Sequence, residues 1–159
     1  MPLNDILVLG HKGYIGSYLS KELHSQIYDG DITDSDKLFS FILENKIRSI
    51  INAAAFTKLD LCESNKEKAY QVNVLAVDNL IEYLSMSSEK IKFINLSSDQ
   101  VFSGTSKKIY ELDDILEPTC YYSFTKCASE LIVNRYMNGL NLRTSRVYGN
   151  PESTKTNGI

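Results

Sequence analysis

The sequence predicts an α/β fold, a doubly wound parallel sheet, on three observations. Short apolar runs alternate with longer stretches of helical periodicity, the pattern of repeated βα units. The first run, Ile6-Leu7-Val8-Leu9, breaks directly into three glycines spaced three apart, Gly10, Gly13 and Gly16, and then into a helix pattern. A later run at 92–96 ends in Ser97-Ser98, at the strand edge where open α/β sheets bind ligands.

Each element follows from its local pattern. Residues 6–9 read as a buried parallel strand. Gly10 and Gly13 let the backbone turn tightly and approach a pyrophosphate, and Gly16 lets the next helix, about 15–24, pack on the strand. That helix start would present free N–H groups and a positive dipole end to the anion. The spacing is GxxGxxG rather than GxGxxG, and the triplet taken alone also describes a tight βα turn with no ligand. A short strand is expected at 26–28. Leu38, Phe39, Ile42 and Leu43 then recur at helical spacing, with Asp34 or Ser35 able to cap. Residues 49–52 form a third strand that runs into Ala53-Ala54-Ala55. The segment 65–84 places Ala69, Val72, Ala76, Leu80 and Leu84 on one apolar helix face. Strand 92–96, helix 121–136 and strand 140–144 complete the pattern, with no internal repeat and no low-complexity linker.

Composition narrows the class. The chain has 159 residues, 43% hydrophobic and 23% charged, which is the make-up of one soluble globular domain. A net charge of −3 without a basic cluster argues against nucleic acid as a partner. No run is long enough to span a membrane, so no membrane partner is expected. Asn4 and Asp5 make the start polar, and its apolar run of four residues is too short for a signal peptide. Cys62, Cys120 and Cys127 are odd in number, and only two histidines accompany them. Neither a disulfide framework nor a metal site is expected, and a reducing cytoplasm is the default location.

Two acidic residues, Asp29 and Asp31, fall where a carboxylate would meet an adenosine ribose or base edge. Either also reads as a solvated turn residue. With no clear basic residue beside them, the choice between NAD and NADP stays open.

Tyr122 and Lys126 stand four residues apart, hence on one helix face. A neighbouring cation favours the phenolate and is expected to lower the tyrosine pKa toward the range of a general acid or base. In a chain with ten tyrosines such a spacing also arises by chance as a half-exposed surface pair. Its position raises it, because a hydroxyl from Ser97 or Ser98 at the preceding strand end could bind a substrate carbonyl while the tyrosine transfers its proton.

These residues carry a resemblance. The ordered set Gly10-Gly13-Gly16, Asp31-Ile32-Thr33-Asp34, Asn52-Ala53-Ala54-Ala55, Ser97-Ser98-Asp99-Gln100-Val101-Phe102, Tyr122-x-x-x-Lys126 and Arg143-Thr144-Ser145-Arg146-Val147-Tyr148-Gly149 resembles the extended short-chain dehydrogenases/reductases. Within them it is most similar to the dTDP-4-dehydrorhamnose reductase group of nucleotide-sugar reductases. The resemblance implies a Rossmann-type domain at 1–150 that binds NADP or NAD and reduces a 4-keto-6-deoxy nucleotide sugar. It implies that Ser98 holds the keto oxygen, Tyr122 donates the proton, and Lys126 binds the nicotinamide ribose and acidifies the tyrosine. It places Gly10, Gly13, Tyr14, Ile15 and Gly16 at the pyrophosphate turn, Asp31 and Ile32 at the adenine, and Ala53, Ala54, Ala55 and Thr57 along the cofactor. Asn73 matches a helix asparagine of the relatives, and also reads as a capped or solvent-facing amide. Asp99 and Arg146 fall on the substrate side, and a homodimer is compatible with the family.

The chain also departs from that pattern. Gln100 stands where the reductases usually have an aromatic residue and Arg146 where they have a tryptophan against the sugar, which leaves the sugar open. Family members continue well past this chain to build a substrate lobe. Residues 151–159 are a polar tail, so that lobe is expected to be missing or rudimentary here. The same triad serves NAD-dependent nucleotide-sugar epimerases and dehydratases. A non-catalytic NAD(P)-binding regulatory subunit is the reading from another class.

Overall fold

Five strands build the sheet in the computed structural model, which describes residues 5–105 and 109–148. They are β1 (Ile6–Leu9), β2 (Gln26–Ile27), β3 (Ser49–Asn52), β4 (Lys92–Ser98) and β5 (Gly139–Thr144). All pair in parallel in the order β2-β1-β3-β4-β5. The helices are α1 (Tyr14–Glu22), α2 (Ser35–Glu44), α3 (Leu59–Ser64), α4 (Lys66–Tyr70), α5 (Ala76–Met86) and α6 (Tyr121–Val133). This is the Rossmann-like α/β fold expected from the alternating runs. The polar tail 151–159 and Gly149 of the last motif lie outside the described residues.

Burial explains why the apolar runs become strands. Leu7, Leu9, Ile50 and Phe93 are fully enclosed beneath Leu38 and Ile42 of α2 and Val77, Leu80, Ile81 and Leu84 of α5. Central strands covered on both faces need side chains of this kind throughout. The chain leaves β1 for β2 on one side and returns across it to β3 on the other, so the strand order reverses between β1 and β3. A crevice opens at such a reversal, beyond the carboxyl ends of the strands.

The same sheet face also carries a polar ladder. Asn52, Asn95 and Asn141 are register neighbours on β3, β4 and β5. Asn52 donates to Asn95 Oδ1 at 3.1 Å and Asn95 to Asn141 Oδ1 at 3.0 Å, while Asn141 donates to the Glu130 carbonyl at 3.1 Å. Each buried amide is thereby satisfied, and the ladder pins the register that aligns the strand ends.

Element boundaries differ from expectation for local reasons. Helix α1 stops at Glu22, not near 24, because His24 takes a left-handed φ of 47°. Strand β2 has two residues, and Tyr28 turns inward to pack edge-on against Phe41 at 5.3 Å. Asp34, rather than Ser35, caps α2, its carboxylate accepting from Lys37 N. The single helix expected over 65–84 divides into α4, a π-helical turn at Gln71–Leu75, and α5. Ala69, Ala76, Leu80 and Leu84 are still buried on one face. Helix α3 had no periodic signal, being six residues long, and α6 ends at Val133 rather than 136.

Candidate active site

The glycine turn divides into two structural glycines and one of another kind. Gly10 has φ +79°, and a Cβ there would lie 2.5 Å from Ala54 N. A Cβ on Gly16 would lie 2.1 Å from the Gly10 carbonyl oxygen, a contact no backbone tolerates. These two let the turn pass against β3 and α1 sit against the turn. Gly13 has ordinary extended dihedrals, and a Cβ on it would meet one protein atom, Gly10 O at 3.3 Å. The fold does not require that glycine, and its bare backbone lines the crevice. No side chain caps α1, and its first turn holds no acidic residue. Its N-terminal N–H groups and dipole are therefore available to an anion.

The far wall of this crevice comes from the end of β2. Tyr28, Asp29, Gly30, Asp31 and Ile32 line it with Lys68, and Ala53, Ala54, Ala55 and Phe56 close it. Its volume of about 450 Å³ lies in the range of ligand clefts. Asp31 accepts from Thr33 N at 2.9 Å and from the Thr33 hydroxyl at 2.7 Å, and these bonds lower its carboxyl pKa. Asp29 pairs with Lys12 Nζ at 2.6 Å, which lowers its pKa in turn. Lys68 Nζ approaches Asp31 at 4.0 Å. The expectation that no basic residue stands by these acids is thus corrected: folding brings Lys12 and Lys68 to them from the glycine turn and from α4.

A second cleft, about 690 Å³, joins the first along Ala53 and Ala55. Tyr14, Ile15, Thr57, Ser98, Asp99, Tyr122, Lys126 and Arg146 line it. Every candidate site residue singled out in the sequence except Gly16 and Asn73 therefore borders one continuous trough. Gly16 acts from behind, through packing. Ser97 and Gln100, both named in the sequence, also line the second cleft, whereas the sequence reading gave no role to Thr144 and Ser145 there or to His11, Lys12, Tyr28 and Lys68 in the first. Thr144 and Ser145 lie inside the 143–149 motif without a distinguishing chemistry, and the other four carry no distinctive spacing.

Helix α6 brings Tyr122 and Lys126 to the second cleft. Cys120 caps it, with Sγ accepting from Ser123 N at 3.5 Å and Ser123 Oγ accepting from Cys120 N at 3.1 Å. Glu63 of α3 accepts from Tyr121 N at 2.6 Å. The amide of Asn73, buried in the π-helical turn, ties the site together. It accepts from Phe56 N at 2.7 Å and donates to Phe56 O and to Thr125 Oγ1, both at 3.0 Å. Asn73 is therefore neither a cap nor solvent-facing, but a brace between the Ala53–Ala55 wall and α6. The extra residue of a π-turn, a common feature of functional sites, accompanies it there.

The electrostatics differ from expectation. Burial pushes the Tyr122 phenol above its usual pKa, and a side-chain hydrogen bond with Ser98 pulls part of this back. Lys126 does not lower it as expected, because its ammonium is turned to the Leu96 carbonyl on β4, 2.6 Å from Nζ. Burial lowers the Lys126 pKa to about 8. In this state Tyr122 is a protonated phenol. Ser98 donates to Asp99 Oδ1 at 3.2 Å and accepts from Gln100 N at 3.2 Å, which fixes its hydroxyl at the mouth of β4. Among the described residues, no group of three or more His, Cys, Asp or Glu side chains is placed to hold a metal ion, and no helix is long and apolar enough to cross a membrane.

Known proteins share this architecture. The chain is 34% identical over 154 residues to a dTDP-4-dehydrorhamnose reductase of Aggregatibacter actinomycetemcomitans, covering 91% of this chain and 52% of that protein. It is 37% identical over 144 residues to a probable low-salt glycan biosynthesis reductase of Haloferax volcanii, covering 88% and 47%. The solved structure of a Bacillus anthracis dTDP-4-dehydrorhamnose reductase in complex with NADP superposes with a TM-score of 0.84 at 26% identity, covering 93% of this chain and 57% of that one. The chain spans about half the length of the curated relatives it matches. The profile of the RmlD substrate binding domain matches residues 4–157, and the chain belongs to that family.

Proposed function

We propose that this chain carries the cofactor site and the proton-transfer residues of an NADP(H)-dependent reductase acting on a 4-keto-6-deoxy nucleotide sugar of the dTDP-4-dehydrorhamnose type. One observation carries the reading. The glycine turn and the Ser98–Tyr122–Lys126 group open onto a single trough that meets at Ala53 and Ala55. The cofactor's fit is supported by Gly13, whose missing side chain serves the crevice rather than the fold. The relative crystallised with NADP supports the choice of dinucleotide.

In this reading Gly10, Gly13, Tyr14 and Ile15 hold the pyrophosphate, Asp31 and Ile32 the adenosine end, and Ala53, Ala54, Ala55 and Thr57 the wall between. Bound reduced nicotinamide would supply hydride to a carbonyl carbon. Tyr122 keeps its proton at Oη near neutral pH and delivers it to the carbonyl oxygen as negative charge develops there. Ser98 turns its single hydroxyl proton from Asp99 to donate to the same oxygen. Lys126, its ammonium held at the Leu96 carbonyl, contributes a donor for a ribose hydroxyl. Asp99 and Arg146 face the sugar.

The test is titration of the purified chain with NADPH and with NADH, followed by nucleotide fluorescence. Saturable binding with NADPH the tighter ligand is expected. Absence of saturation with either removes the cofactor site.

A further inference from the structure

The face of α6 that carries Tyr122 and Lys126 continues one turn to Glu130, so three side chains stand four residues apart on one helical stripe. Glu130 is 1% exposed and Lys126 3%. Arg143 of β5 grips the carboxylate, with Nε at 3.0 and 3.2 Å from its two oxygens and Nη2 at 2.8 Å from Oε2. The same guanidinium donates from Nη1 to the Leu112 carbonyl at 3.1 Å and lies 5.0 Å over the Phe102 ring. Glu130 is thus fixed from the strand and from the loop after β4. Lys126 lines the cleft, while Glu130 and Arg143 stand behind it.

We propose that Glu130 is a positioning residue for Lys126: its carboxylate, held by Arg143, keeps the buried ammonium charged behind the reactive tyrosine. What Lys126 then serves rests on the function proposed above; the coupling itself does not. Two buried charges one helical turn apart interact through a medium of much lower effective dielectric than water. Burial pulls the Lys126 pKa down to about 8, and Glu130 is the group that pulls it back up. Cys127 registers the same field from the adjoining position. Its thiol is pushed up to about 11, first by burial and then by Glu130, with Arg143 opposing. Tyr122, one turn earlier on α6, faces the further titratable groups Cys62 of α3, Cys120 just before α6 and Asp99 after β4. Strand β4 and the π-turn offer uncharged groups, the Leu96 carbonyl, Ser97 and Asn73. Removing the carboxylate would also leave the Arg143 cation uncompensated, and both changes discharge the lysine.

The experiment follows the Lys126 Cε resonance with pH in ligand-free protein carrying ¹³C-lysine, assigned by its loss in Lys126→Met. Glu130→Gln is expected to lower the midpoint by about one pH unit or more. Glu130→Asp should recover part of the shift, a rescue that a space-filling role would not produce. NADPH affinity of Glu130→Gln should fall more at pH 8 than at pH 6. An unchanged midpoint in folded Glu130→Gln overturns the proposal. If that variant does not fold, the wild-type Glu130 carboxyl resonance reads the same coupling. It should shift as Lys126 titrates, and a carboxyl that does not respond overturns the proposal. A shifted lysine midpoint without NADPH binding upholds the coupling and removes the cofactor reading instead.

Discussion

The two ends of the trough are made of different material. At the end of β1 the wall is backbone: Gly10 and Gly16 clear space for main-chain atoms within 2.1–2.5 Å of where a Cβ would be. At the end of β4 the wall is side chain, with Ser98, Tyr122 and Lys126 lining it and Asn73 and the Glu130–Arg143 ion pair behind it. Steric exclusion governs the first end and electrostatics the second. The first should therefore fail abruptly on substitution and ignore pH, whereas the second should fail by degrees and follow pH.

The strongest test is Gly16→Ala. Its Cβ would meet the Gly10 carbonyl at 2.1 Å, and neither backbone can move without parting α1 from β1. A loss of about 3 kcal/mol or more in urea unfolding is expected. A loss under about 1 kcal/mol would show that the turn is more compliant than the contact implies.

Tyr122→Phe tests the other end. It should leave NADPH affinity nearly unchanged and lower turnover of a 4-keto-6-deoxy nucleotide sugar by about 10²- to 10⁴-fold, since it removes one proton donor. Turnover at the wild-type rate would take Tyr122 out of that role.

The pH response comes next in size. Lys126 has a folded-state pKa of about 8 against an ordinary 10.5, so between those values the unfolded chain binds the extra proton. Stability therefore rises with pH across that window, by about 3 kcal/mol for the full shift. Below pH 8 the buried charge is a constant penalty. Urea melts of wild type and Lys126→Met at pH 7.5 and 10 should show the wild type gaining on the variant as pH rises. A difference between them that is flat with pH would mean Lys126 is not buried as a cation.

The smallest effect distinguishes the glycines from one another. Gly13→Ala has suitable dihedrals and one tight contact, 3.3 Å to the Gly10 carbonyl oxygen, that a shift of a few tenths of an ångström relieves, so its stability should change by under about 1 kcal/mol. NADPH affinity should nevertheless fall about tenfold, because the methyl group faces the crevice. Equal losses in stability and affinity would make Gly13 a third packing glycine.

Legibility in the sequence followed the same division. Strands β1 and β3 were placed by uninterrupted apolar runs, and the Tyr122–Lys126 spacing was placed on one helix face by periodicity alone. The glycine turn could be read because its geometry is local. What could not be read was the direction of each charged group. The Tyr122 pKa was expected to fall because Lys126 lies one turn away, yet the ammonium bonds Leu96, thirty positions distant, and burial raises the phenol. Asn73 looked like one more helix amide until the π-turn set it against Phe56 and Thr125. Glu130 and Arg143 are thirteen residues apart on different elements, and no spacing rule joins them.

The order of strands and helices, the glycine turn and the helix stripe of Tyr122 and Lys126 are properties of neighbouring residues, and the amino-acid order specifies them. The reversal of strand order between β1 and β3, the Lys12–Asp29 pair and the Asn52–Asn95–Asn141 ladder exist only after distant segments meet. Protonation belongs to this second group. Burial and charge neighbours set it, and both depend on which chain segments exclude water from Tyr122 and Lys126.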